Sequence, residues 1–505
     1  MAAEKKSIAY RTADAGYFEK RGLKKYAGVW SLWALGVGAV ISGHYSGWNL
    51  GLLSGGWGGM FIATVIIAIM YLGLTFSIAE MSPALPHTGA AYSFARTTMG
   101  PWGGFVTGLF ENVEYVLTPA VIVFFIGSYL TGIFETSASF QPVWWILGYI
   151  LFVSLNTVGV ELSFKVTLVV TLLALAILVI FWISAIPVID FSANALNIGS
   201  DGQEIAGGNG PFLPFGITGA LTALPFAVWL FLAIEQLPLA AEESVDPKRD
   251  MPKGIMLGMA TLIVSAFMIL ILNPSLPGVG SFKLGSSGEP LLAGFEAIYG
   301  SGIAKLLAFV AIIGLIASFH TIIFAQGRQI YSLARAGYFP PALSVTHDER
   351  KTPFVAMIAG AVVGLVIMLA LFFGLGTEAG SAVIGGTLLN MAVFGAMCSY
   401  IAQAISFILL RKNHPEIERP YKSPFGIPGA ALTIVIAVMT LGFQLSDPTY
   451  RAGVIGVAVW CGLGIVYFAL VGRHRLILSP EEEFAIENAE KRKGAAAASR
   501  AASPV

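Results

Sequence analysis

The chain has 505 residues, of which 56% are apolar and 11% charged. A soluble protein of this length needs far more polar surface, so lipid must cover much of this one. Lys+Arg and Asp+Glu balance at 29 each, which argues against nucleic acid as a partner, and the two cysteines, Cys398 and Cys461, sit inside apolar runs with no disulfide framework or metal signature.

Lys5, Lys6, Arg11, Lys20 and Arg21 precede the first apolar stretch. That stretch exceeds 20 residues and lacks a small-residue cleavage site, so it is expected to be a retained span and not a removed signal peptide. A span needs roughly 20 apolar residues to cross about 30 Å of hydrocarbon. Twelve segments qualify, at 27–53, 57–82, 102–134, 142–158, 163–187, 214–238, 253–274, 302–334, 353–375, 384–411, 428–446 and 452–472. Backbone amides in lipid must be satisfied within a segment, so these are predicted helices.

The loops orient the spans. With the N-terminus cytoplasmic, 26 of the 29 Lys and Arg residues fall on the cytoplasmic side, and only Lys283, Lys305 and Arg451 on the other. The positive-inside rule therefore predicts a multi-pass protein of the cell membrane with both termini cytoplasmic. The loop 188–213 holds Asp190, Asp201 and Glu204 but no Lys or Arg, and is expected outside. From Ser479 onward an acidic patch, Lys491-Arg492-Lys493 and an Ala/Ser run read as a disordered tail. The organisation expected is a segment 1–26, a five-helix block 27–187, the loop 188–213, a second five-helix block 214–411, two further helices within 412–475 and the tail 476–505.

Span one carries Gly36, Gly38, Ser42, Gly43, Ser46 and Gly47 around His44, and span six carries Pro225 and Pro238 with Trp229, Phe231 and Glu235 between them. Such clusters weaken helices at membrane depth, where freed backbone must face protein or a watery cavity. Spans one and six each begin a block of five, and interrupted helices at matching places in two halves point to a transporter of inverted repeats. The glycines of span one also suit close helix packing.

Gly38-Ala-Val-Ile-Ser-Gly-His44, Pro86-His-Thr-Gly-Ala-Ala-Tyr92 before Gly100-Pro101, and Ala240-Ala-Glu-Glu-Ser-Val-Asp-Pro-Lys-Arg249 before Pro252 occur in that order, followed by Arg328-Gln-Ile-Tyr331, Arg335-Ala-Gly337 and Thr352-Pro353. Over about residues 25–475 the chain resembles the amino acid–polyamine–organocation superfamily. Ile41-Ser-Gly-His-Tyr-Ser-Gly-Trp-Asn49 and Leu232-Ala-Ile-Glu-Gln-Leu-Pro-Leu-Ala-Ala-Glu-Glu243 look most like its ethanolamine permease branch. The resemblance implies an all-α, leucine-transporter-type fold of five plus five inverted helices and two extra, working by alternating access.

Two departures qualify it. Amino acid carriers of the superfamily usually show Gly-x-Gly at the break of helix one, where bare amides receive the substrate carboxylate; here the stretch is Ser42-Gly43-His44. A His there narrows the carboxylate nest and suits a substrate with an ammonium and no carboxylate. Some proton-driven relatives place a Lys in helix five, but the matching position is near Ala174, and the span's only Lys, Lys165, lies at its edge. Whether transport is proton-coupled, sodium-coupled, exchange or uniport stays open.

Glu111 and Glu114 lie three apart, on one face of span three, and an intramembrane acid is functional by default. Glu114, followed by Tyr115, is the first candidate counter-charge for an ammonium; the alternative is a structural ion pair. Trp229, at the expected break of helix six, offers a ring to a cation, against an ordinary packing role. Glu235 is a second counter-charge or part of a gate. His44 titrates near neutrality when unperturbed and suits a proton relay, a hydroxyl contact or simple packing, and the same choice holds for His320 in span eight. Glu242, Glu243, Asp246, Lys248 and Arg249 are solvated loop charges or a latch with Arg328 or Arg335.

No Gly-x4-Gly-Lys-Ser/Thr motif appears, so ATP is not the expected direct energy source. No cofactor or metal is expected, and the scattered histidines suit no enzyme site. The reading is a secondary permease for a small cationic amino alcohol, ethanolamine first, with a neutral or cationic amino acid as the alternative.

Overall fold

The computed structural model describes residues 8, 10, 11, 17, 23–87, 89–376, 380–480 and 482–487. Lys5, Lys6, Lys20, Arg21 and the tail cluster Lys491-Arg492-Lys493 lie outside them.

Helices α1 (Val29–Val40) and α2 (Ser42–Tyr45) make up most of the first span. At Ser46 the backbone becomes extended, and Gly47 takes φ 93°, a left-handed conformation that a residue without Cβ adopts freely. A 3-10 turn, Trp48–Leu50, then leads into α3 (Gly51–Ala84), which turns sharply at Gly56 (φ 64°), dividing the end of span one from span two. Sequence placed the interruption at Ser42-Gly43-His44; those residues are helical, and the chain leaves the helix three residues later.

The earlier stretch is nonetheless loosened. The Ser318 hydroxyl donates to Gly38 C=O at 2.6 Å and accepts from Ser42 N–H at 2.8 Å, standing where the direct i to i−4 bond would run. A side chain inserted in this ladder opens a helix without leaving a buried backbone group unmet.

Helix α4 (Ala90–Phe134) is split by Gly100 (φ 78°) into a short approach helix and the third span. Then follow α5 (Gln141–Val158) and α6 (Val160–Ala185). Span six is α7 (Gly216–Thr222), α8 (Leu224–Trp229), a four-residue break, and a 3-10 segment, Ile234–Glu243. Ala233 in that break has φ 84°, which costs an L-residue of order 1 kcal/mol or more.

Helix α9 (Pro247–Leu272) begins six residues ahead of the expected span, with Pro247 in its first turn, where its missing N–H is no loss. Two short helices unforeseen from sequence, α10 (Gly280–Ser286) and α11 (Pro290–Tyr299), follow. They are tied to the break of span one: Asn49 Nδ2 donates to Leu284 and Ser287 carbonyls at 2.6 and 2.8 Å, and the Ser46 hydroxyl to Gly288 C=O at 3.1 Å. The remaining spans are α12 (Ser301–Arg335), α13 (Phe354–Leu375), α14 (Gly380–Asn413), α15 (Gly426–Ser446) and α16 (Arg451–Leu470).

Among the described residues eleven helical segments are long and apolar enough to cross a membrane. The broken first span supplies the twelfth crossing, its pieces of 12 and 4 residues being too short to count alone. Aliphatic side chains on α6, α13, α15 and α16 are widely exposed, as lipid-facing surfaces are, whereas α8 and the segment after it are buried on all sides.

The segments around Tyr10 and Leu476 meet on one face. Strand β1 (Tyr10–Arg11) pairs in parallel with β2 (Leu476–Ile477), so an even number of crossings separates them. This corrects the expectation of a disordered tail from residue 476: over 476–480 and 482–487 the chain is a strand and a helical turn docked on the bundle, because Glu482 finds buried donors there.

Span one packs on the break of span six at the shortest range glycine allows. A Cβ on Gly43 would lie 2.2 Å from Trp229 C=O, backbone that cannot turn aside. Gly43→Ala should therefore lower stability by at least the ~1–3 kcal/mol typical of overpacking. Gly456→Ala, with nothing within 4 Å of the new carbon, should be neutral. Melting temperatures of the two purified variants check this.

Candidate functional site

The breaks in spans one and six satisfy one another. His44 Nε2 sits 3.1 Å from Leu230 C=O, a carbonyl released where α8 stops, and Nδ1 is 2.9 Å from the Ser265 hydroxyl. The Trp229 indole N–H donates to Ser46 C=O at 3.0 Å, with its ring over Gly47. Both polar side chains thus brace the two interruptions. Each is fully or almost fully buried.

Phe231, in the same break, packs against Tyr71 of α3 at 5.5 Å between ring centres. Beyond it lies a cluster of acids. Glu235 Oε2 accepts from Ala233 N–H at 3.1 Å, and this bond holds the left-handed residue in place. Glu235 Oε1 is 3.3 Å from the Tyr115 hydroxyl, which also lies 3.4 Å from Glu111 Oε1; a phenol has one proton and serves one carboxylate at a time. Glu114 Oε1 is 3.3 Å from the Tyr400 hydroxyl of α14, which is 3.1 Å from that of Tyr71. The Glu114 and Glu235 carboxyls are close neighbours in this cluster. The Gln329 amide of α12 stands beside Glu111.

All three glutamates are closed off from solvent, and Glu111 Oε2 and Glu114 Oε2 have no donor. Hydroxyls and amides surround them, and among the described residues no Lys, Arg or His pairs with any of them. Several buried carboxyls without a basic partner are costly in a low-dielectric interior unless protons or a bound cation offset their charge. The arrangement can hold an ammonium between Glu111, Glu114 and Glu235, with aromatic rings as walls.

Among the sequence candidates, Glu111, Glu114, Tyr115, Phe231 and Glu235 come together here. Ser42, Gly43, His44 and Trp229 form the adjoining brace between the two breaks. His320 stands apart, held by Asn156 Nδ2 at 3.0 Å and the Ser163 hydroxyl at 3.3 Å between α5, α6 and α12. Tyr71, Tyr400 and Gln329 escaped the sequence reading. Their signal was a polar group in the middle of an apolar span, which must find a partner in lipid.

Toward the terminal face the charged loop after span six is latched. Arg328 binds Glu243 through both ends at 2.8 and 3.2 Å, fully buried, and its guanidinium lies 3.4 Å from the centre of the Phe324 ring. Arg335 binds Glu242 at 2.7 and 3.1 Å. The opposite face has a cavity of about 270 Å³ between the end of α4 and helices α10–α11, lined by Lys283, Glu289 and Glu296. A larger, almost wholly apolar cleft of about 660 Å³ is lined by Trp460, Val363 and Phe339 in the lipid-facing wall. Neither cavity includes the acid cluster.

The fold and site define an all-α membrane transporter built on the leucine-transporter plan. Structurally the chain is similar to Mhp1, a nucleobase-cation-symport-1 family transporter solved closed with bromovinylhydantoin bound: the TM-score is 0.51 at 16% identity, covering 93% of this chain and 99% of that one. A family model described as amino acid permease matches residues 28–468, so the chain belongs to the amino acid permease family, within the amino acid–polyamine–organocation superfamily. It is 28% identical to an uncharacterized transporter of Rhizobium meliloti, covering 84% of this chain and 88% of that one. It is 24% identical to the branched-chain amino acid permease BcaP of Bacillus subtilis, covering 90% and 94%. The protein is a secondary transporter and not an enzyme.

Glu289 supplies a pH test of the opposite face. Burial, and then neighbouring Glu296, push its carboxyl up to about 7. The folded protein therefore holds this proton more tightly than the unfolded chain does, and stability falls as pH rises through 7. Thermal unfolding should show Glu289→Gln gaining on the wild type between pH 5 and 8; parallel curves would contradict the assignment.

Proposed function

We propose that this permease carries a small organic cation, ethanolamine being the first candidate, by alternating access across the cell membrane, with both termini cytoplasmic. The observation that supports this reading is the buried cluster Glu111–Glu114–Glu235, which has hydroxyl donors but, among the described residues, no positive partner. An ammonium entering there meets acceptors that nothing else satisfies, and Tyr115 or Tyr400 can turn a hydroxyl toward an alcohol group. Glu114 is the principal counter-charge, since one of its oxygens lacks any donor and Glu235 is its close neighbour.

Orientation follows from the Lys and Arg distribution, 26 of 29 lying on the side of the termini. Symport with a proton or sodium ion is the expected energy source.

The second reading is an amino acid, neutral or cationic, as BcaP's name states for that relative. A substrate carboxylate needs free amides in helix one. Here Ser42, His44, Ser46 and Gly47 N–H groups already bond Ser318 Oγ, Ile41 C=O, Ser42 C=O and Asn49 Oδ1. That spent backbone favours a ligand without a carboxylate.

Uptake of labelled ethanolamine into proteoliposomes, competed by alanine and by arginine, separates the readings. Saturable uptake resistant to both competitors is expected. Glu114→Gln should weaken it by roughly 100-fold or more, the scale of an unpaired buried charge, while membrane insertion stays normal. Complete competition by either amino acid, or wild-type uptake by the variant, would overturn the assignment.

A further inference from the structure

A second buried polar junction, outside the acid cluster, lies under the terminal face and joins β1 to the segment after β2. Glu482 is fully buried. Its Oε1 accepts from the Tyr338 hydroxyl at 2.9 Å and the Tyr92 hydroxyl at 3.2 Å, and its Oε2 from Tyr10 at 2.9 Å and Arg96 Nε at 2.5 Å. Arg96 also reaches the Tyr10 hydroxyl, at 2.6 Å. One carboxylate thus joins the N-terminal strand, the approach helix of span three and the turn after α12. A buried charge held by four donors is strong while complete and costly when broken.

The surrounding backbone reinforces it. Ile477 N–H donates to Ala336 C=O at 2.9 Å, and β1 lies alongside. Gly337 takes φ 81° where a Cβ would strike Arg475 C=O and Ile477 N, so glycine alone lets the strap lie flat on the end of α12. Phe484 packs edge-on to His87, in the loop after span two, at 5.2 Å. The Tyr17 hydroxyl donates to Arg335 C=O at 3.0 Å. Arg335 is the residue that grips Glu242, so the strap rests on the same helix end as the latch to span six.

We infer that β1 and residues 476–480 and 482–487 form a clasp that holds the terminal face shut, and that Glu482 must leave its cage before the transporter opens to that side. A strap bonded at once to the loop after span two, the approach helix of span three and the end of α12 opposes any opening on this face that moves these segments apart. A segment that merely filled space would need no charged residue buried at its centre. The clasp acts on conformation and is independent of which solute is carried.

A cysteine in place of Ser332 tests this, in the full chain with Cys398 and Cys461 replaced by Ala. Ser332 is fully buried beneath the loop after span two, 3.0 Å from where a Cβ on Gly89 would lie. A second reporter, Ser281→Cys, is buried in α10 on the opposite face. In detergent, Glu482→Ala should raise maleimide labelling at 332 by ~10-fold or more, the effect of losing a buried charge-assisted bond on a two-state equilibrium. Tyr338→Phe, which removes one donor at nearly constant volume, should give a smaller rise, and labelling at 281 should stay at its starting rate. Unchanged labelling at 332 in either variant, or an equal rise at both reporters, would mean that the strap is structural packing and not a clasp.

Discussion

In hydrocarbon no water is present to accept a freed amide or carbonyl, so a helix can stop there only if protein finishes its hydrogen bonds. The whole centre of this molecule is arranged around that constraint. Ser318 stands between Gly38 C=O and Ser42 N–H, His44 meets the carbonyl that α8 releases at Leu230, and Trp229 closes on Ser46 C=O. The two interruptions are therefore not independent weak points. Each supplies the partners that let the other exist, and Gly43 allows the close approach this needs.

The acid cluster follows from the same break. Turning the chain into the left-handed region at Ala233 frees an N–H that Glu235 takes, and so brings that carboxyl alongside the glutamates of α4. Residues remote in sequence then share one dry volume. Hydroxyls from Tyr71, Tyr115 and Tyr400 serve it without neutralising it, which leaves the charge for a ligand or for protons to offset.

Both ends of the bundle around this cluster are tied. On one face α10 and the segment after it are tied to the extended residues of span one; on the other, paired Arg–Glu bridges join α12 to the end of span six, with β1 and β2 paired beneath. Membership of the amino acid permease family and a fold shared with Mhp1 agree with a carrier in which such closures alternate.

Much of this was legible in the chain itself. Twelve apolar runs, their flanking charges and the paired disruptions in spans one and six each depend on local composition, and lipid reads composition directly. Glu111, Glu114 and Glu235 stood out because acids are rare at that depth. Other features depended on contacts between distant segments. That span one leaves its helix at Ser46–Gly47 and not at Ser42–His44 goes with carbonyls at Leu284, Ser287 and Gly288, which Asn49 and Ser46 meet. That His44 and Trp229 brace backbone, that Tyr71 and Tyr400 join the acids, and that an acidic tail residue ends up caged by Tyr10, Tyr92, Arg96 and Tyr338 depend likewise on partners 144 to 472 positions away. Sequence determined which groups could not be left alone in lipid. Tertiary structure decided which partners they found, because hydrogen bonds are satisfied by proximity in space and a linear pattern carries no record of it.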